Sequence, residues 1–166
     1  MYRKLFFSAI CFSLLTACNN SSGDKEKKED TAMTKMDHDM GPSTGNVPTL
    51  PEVPEGAKVS FKNLKDEANI SSPFKLEMGA DVIRIDTAGP VVAGSGHHHL
   101  FIDAEDSLAA GEIVPKDASH VHFGKGQTEY ELVLSPGKHK LTLQMADGLH
   151  RSYGSRLAAT ITVNVK

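Results

Sequence analysis

The chain has 166 residues, with 18 Lys and Arg against 21 Asp and Glu, a net charge of −3. From residue 57 onward the balance is twelve basic to thirteen acidic side chains, which excludes the basic stripe that nucleic-acid binding requires. Only two cysteines occur, Cys11 and Cys18, so no disulfide framework supports the fold.

The N-terminus carries Arg3 and Lys4, then an apolar run from Leu5 to Leu15 broken only by Ser8 and Ser13. That run is too short to span a bilayer, which needs roughly 20 apolar residues, and has the length of a signal-peptide core. It ends in Leu15-Thr16-Ala17-Cys18, which resembles the lipobox of bacterial lipoproteins. The resemblance implies a signal peptide over 1–17, cleavage before Cys18, and lipid on its thiol. Several acyl chains would anchor the chain stably in a lipid bilayer, where a single chain is marginal. The expected location is the bacterial cell envelope, and Asn19 after the cysteine resembles the sorting signal for the outer membrane.

Residues 18–56 read as a disordered tether. They are rich in Lys, Glu, Asp and Pro and contain too few aromatic and β-branched residues to offset ordering entropy. Within it, Met33, Met36, His38 and Met40 resemble the methionine-rich segments of exported copper-handling proteins. Thioethers are soft donors, so this segment is a candidate auxiliary Cu(I) site. The alternative is a solvated linker with incidental methionines.

Residues 57–166 read as one all-β domain. Apolar residues alternate over Lys58–Leu64, Phe74–Met78, Glu129–Leu134, Lys138–Met145 and Leu157–Val165, and Val82–Ile85 and His97–Asp103 are further strand candidates. About seven short strands with turn signals such as Ser135-Pro136-Gly137 and Asp147-Gly148 predict an antiparallel β-sandwich. The stretch from Tyr130 through the Ser-Pro-Gly turn to Leu143 resembles an edge-to-core hairpin of immunoglobulin-like modules.

Two histidine clusters carry the chemistry. His97-His98-His99 opens one strand and His120-Val121-His122 forms another. Strand alternation puts His97 and His99 on one face and His98 with Leu100 and Ile102 on the other; His120 and His122 share a face. If the strands are neighbours, up to four imidazoles converge, which is a ligand set for copper or zinc. The candidate metal residues are therefore His97, His98, His99, His120 and His122. Asp103 and Glu129 are candidates to accept the second ring N–H, and His150, after the Asp-Gly turn, to close over the site. The competing reading is a hydrogen-bonded histidine network that serves structure alone.

The blocks Gly96-His-His-His-Leu-Phe-Ile-Asp103, His120-Val-His-Phe-Gly-Lys-Gly-Gln-Thr-Glu129, Leu134-Ser-Pro-Gly-Lys-His139 and Ala146-Asp-Gly-Leu-His150 together resemble a bacterial family, domain of unknown function 4399, over roughly residues 72–165. The resemblance implies that the histidine blocks belong to one shared feature, and it carries no activity. His120-Val121-His122 is also similar to the copper-binding strand of Cu/Zn superoxide dismutases, but the spaced zinc ligands and cysteines of that family are missing. Gly124-Lys125-Gly126-Gln127-Thr128 lacks the spacing of a phosphate loop. The domain has no cysteine for a thiol nucleophile, and Ser119 and His120 would point apart on a strand. Two functions follow: an exported copper- or zinc-binding module for sequestration or delivery, or a non-catalytic envelope module binding a protein or glycan.

Overall fold

The computed structural model describes residues 47–166. Cys11, Cys18, Met33, Met36, His38 and Met40 lie outside them. Nine strands are present among the described residues: β1 Lys58–Phe61, β2 Ala68–Ile70, β3 Phe74–Asp81, β4 Arg84–Ile85, β5 Ser95–Ile102, β6 His120–His122, β7 Glu129–Leu132, β8 Gly137–Ala146 and β9 Ala158–Val165. The one helical element among the described residues is a 3₁₀ turn, Ser155–Leu157, and no helix among them is long and apolar enough to cross a membrane.

The strands form two sheets, one ordered β1-β3-β7 and one ordered β2-β9-β8-β5-β4, with β6 also paired to β5. The all-β sandwich is thus as the alternation predicts. Most pairs are antiparallel, but β2 runs parallel to β9 and β4 parallel to β5. The expected hairpin over Tyr130–Leu143 is not one. β7 pairs with β3 and β8 with β5 and β9, so Ser135-Pro136-Gly137 carries the chain from one sheet to the other.

The main core is the apolar layer that alternation assigns to the inner faces. Leu76, Met78, Leu100, Leu132, Leu141, Leu143, Met145 and Val163 are all nearly or fully inaccessible. Residues 47–56, expected as the end of the tether, contribute Leu50 and Val53 to the edge of this core. Asn63, just after β1, ties that end of the strand to β3: its amide donates to Lys75 O (2.7 Å) and its carbonyl accepts from Glu77 N (3.0 Å).

What positions the site is β5. It is flanked by β8 on one side and by β4 and β6 in tandem on the other. Seven of its eight residues, Ser95 to Phe101, are consequently buried. Its even-numbered residues enter the main core. Its odd-numbered residues face outward, where a second small cluster of Phe101, Leu108, Val114 and Ala146 forms beneath the segment joining β5 to β6. Buried Gln144 anchors this layer. Its amide donates to the carbonyls of Met145, Gly154 and Leu157 (3.1–3.2 Å), and its oxygen accepts from Leu108 N (3.3 Å).

Candidate metal centre

Strand register brings the histidines together. His99 lies directly opposite His122 across β5–β6, and directly opposed side chains point to one face. His97, two residues earlier on β5, shares that face. The fourth ring comes from the loop after β8, where His150 has φ +66°, a conformation uncommon outside glycine and usually held by its surroundings. Here the holder is Asp147, which is fully buried. Its carboxylate accepts from the backbone N–H of Leu149 and Arg151 (both 2.9 Å) and from Arg151 Nε (2.8 Å) and Nη2 (2.6 Å). His150 itself bonds back to Asp147 O and accepts from Val114 N (both 2.9 Å).

Two glycines admit this packing. A Cβ on Gly124 would fall inside van der Waals distance of the His122 ring, and one on Gly148 would strike the carbonyls of Gly89 and Pro90. The Phe-Gly that follows the His-Val-His motif is therefore what leaves room for the His122 imidazole.

The four rings form a nearly regular tetrahedron. Their six centroid separations are 4.8 Å (His97–His99), 5.1 Å (His97–His122), 5.0 Å (His97–His150), 5.0 Å (His99–His122), 5.9 Å (His99–His150) and 4.7 Å (His122–His150). Nε2 of His97 and His99 are 3.0 Å apart, and Nε2 of His122 and His150 are 3.1 Å apart. Metal–imidazole bonds of about 2.0–2.1 Å would set tetrahedral nitrogens roughly 3.3 Å apart and ring centroids roughly 5 Å apart. Donor atoms of His97, His122 and His150 lie within 4.8 Å of one another; His99 is outside that set and meets it through its 3.0 Å contact with His97.

Electrostatics keep His97, His99 and His122 in their ligating form. Burial, then the charges His150 and His122 would carry, pushes His97 down to about 4. Burial followed by repulsion from His97, His122 and His150 pushes His99 to about 2. His122 is lowered too, by burial, His150 and Lys116. Neutral imidazole is the species that binds a metal. Nδ1 of His97 and of His99 is buried without a protein partner.

The other expected site residues lie elsewhere. His98 points into the main core, as alternation requires, where neither ring nitrogen has a partner and burial lowers it to about 4. His120 does not join the tetrahedron; His150 takes that place. Its ring packs edge-on against Phe101 (centroids 4.6 Å), and its nitrogens donate to Asp117 (2.7 Å) and Glu105 (3.1 Å). Burial opposes the charge on His120, but these carboxylates outweigh it and raise the ring above its usual value. Asp103 and Glu129 do not support the cluster. Asp103 binds His139 Nδ1 (2.7 Å) and Lys140 N (2.8 Å), and Glu129 pairs with Lys75 (3.0 Å) on the other sheet. Asp147, Arg151 and Gly124 were not singled out by sequence reasoning. The Asp-Gly turn signal marked the first only as a turn.

A cavity of about 330 Å³ opens on the cluster, lined by His99, His122 and His150 together with Ile113, Val114, Pro115, Lys116 and His120. His97 lies beneath and is not part of its wall.

No curated protein and no solved structure matches the chain. Residues 76–166 match the sequence profile of a family described as Domain of unknown function (DUF4399). That span runs from β3 to the C-terminus and includes all four clustered histidines. The chain belongs to this family.

Proposed function

We propose that the protein is an exported, lipid-anchored metal-binding module that holds copper or zinc at His97, His99, His122 and His150, for sequestration or delivery in the cell envelope. The observation that carries this is the tetrahedral convergence of four imidazole rings. A purely structural network would pair its ring nitrogens with carboxylates or carbonyls, as His120 and His139 do. The four clustered rings have only one another. The lipid on Cys18, the envelope location and a Cu(I) role for Met33, Met36, His38 and Met40 belong to the same reading and rest on the sequence motifs.

The test is titration of the untagged full-length chain in detergent with Zn²⁺ and Cu²⁺, with elemental analysis of the product. One ion per chain is expected, lost in His97→Ala and in His122→Ala and retained in His120→Ala. Binding weaker than about 10 µM, or loss in His120→Ala alone, would overturn the assignment.

A further inference from the structure

The tetrahedron has one buried vertex and one open face. His97 is fully inaccessible and does not line the cavity; His122, His150 and the almost fully buried His99 do. An ion at the centre therefore has His97 behind it and the triangle of the other three rings facing the cavity. A fifth ligand approaching through that triangle would lie trans to His97, completing a trigonal bipyramid. Zinc expands to five-coordination in this way when a fifth donor arrives.

The chemistry of the cavity selects the donor. All four protein ligands are uncharged, so a bound dication keeps its full charge in a partly desolvated site, where a paired anion is strongly favoured. Lys116, on the wall beside His122, adds a second positive charge. The Glu105 and Asp117 carboxylates, partly offset by the His120 ring they bind, do not line the cavity. The remaining wall is apolar: Ile113, Val114 and Pro115. Ile113 is exposed although large and hydrophobic. A volume of about 330 Å³ is at the lower end for ligand pockets.

We infer that the metal centre has a fifth coordination position that opens into this cavity and takes a small organic carboxylate, its oxygen on the metal, its charge facing Lys116 and its short apolar tail against Ile113, Val114 and Pro115. This rests on the metal reading above. It differs from that reading in requiring the site to be open rather than closed by its four histidines.

The test uses the untagged full-length chain loaded with Co²⁺ or Cu²⁺, followed by its ligand-field spectrum in a sulfate buffer. Azide, acetate and butyrate are titrated in turn. Saturable spectral changes are expected with all three. Butyrate should bind roughly fifteenfold tighter than acetate, from two further buried methylenes at about fourfold each. Lys116→Gln should weaken butyrate about threefold at low ionic strength, less at high salt. If the ion binds stoichiometrically and no anion alters its spectrum, the centre is closed and the inference fails while the metal reading stands. If azide binds but acetate and butyrate are equal and Lys116→Gln has no effect, the carboxylate assignment fails. If no ion binds, both fail together.

Discussion

His98 is the residue whose position has the largest unrelieved cost. Its ring is wholly inaccessible, and neither nitrogen has a hydrogen-bond partner among the described residues. An unpaired buried polar group costs about 1–3 kcal/mol, and replacing it with an apolar group of similar shape removes that cost. His98→Leu should therefore raise the denaturation midpoint at neutral pH, by a stability gain of about 1–3 kcal/mol, without affecting metal stoichiometry. A loss of stability, or loss of metal, would show that the ring has a role beyond filling the core. That His97 and His99 face one way and His98 the other was legible from strand alternation alone. That His120 would leave the cluster was not, because its fate is decided by Asp117, three residues back, and by Glu105, far along a loop whose path no periodicity encodes.

The elements were legible in proportion to their length. The eight- and ten-residue strands β3, β5, β8 and β9 show alternation long enough to be read, whereas the three-residue β2 does not. The partner of β7 was misjudged because a Pro-Gly turn between two alternating runs is compatible both with a hairpin and with a crossing between sheets. Alternation fixes which face is apolar, not which strand lies beside it. The most consequential element is the loop after β8, which supplies His150. Asp147 and Arg151 form a buried ion pair within it, and Arg151 also donates to Pro48 O (2.6 Å). Removing one partner of a buried pair leaves an uncompensated charge, at a cost of about 3–5 kcal/mol. Asp147→Asn should lower thermal stability by that order and weaken metal binding at least tenfold through misplacement of His150. His150→Ala should weaken metal binding to a similar degree with little loss of stability. Equal destabilisation with undiminished affinity in Asp147→Asn would mean that the loop holds the fold together but does not set the ligand.

At the scale of the molecule, six of the histidines divide into two groups that respond to acid in opposite directions. His97 and His98 are held at about 4, chiefly by burial, and His99 at about 2, against an unfolded value near 6.5. As pH falls through 6.5 the unfolded chain takes up protons that the folded chain refuses. Their contribution is therefore intact above about pH 6.5 and is lost progressively toward pH 4, on the order of 3 kcal/mol each for His97 and His98 at the acid end. His139 is raised by Asp103, and His120 by its two carboxylates against the effect of burial. They are mostly exposed to solvent screening at their carboxylate ends, so they offset only a small part. Their contribution is full below pH 6.5 and is lost as pH rises through their raised values. The apo protein should thus lose stability steeply between pH 6.5 and 4 in urea titrations. A bound metal competes with protons for the clustered nitrogens and stabilises only the folded state. Zn²⁺ at a hundredfold excess over its dissociation constant should add about 2.7 kcal/mol at neutral pH and shift the acid-unfolding midpoint downward. In His97→Ala the shift should vanish, while the apo profile becomes flatter because one proton-refusing ring is gone. An acid profile that ignores Zn²⁺ yet still flattens in His97→Ala would separate the two properties: burial of the histidines would be real, and their service to a metal would not.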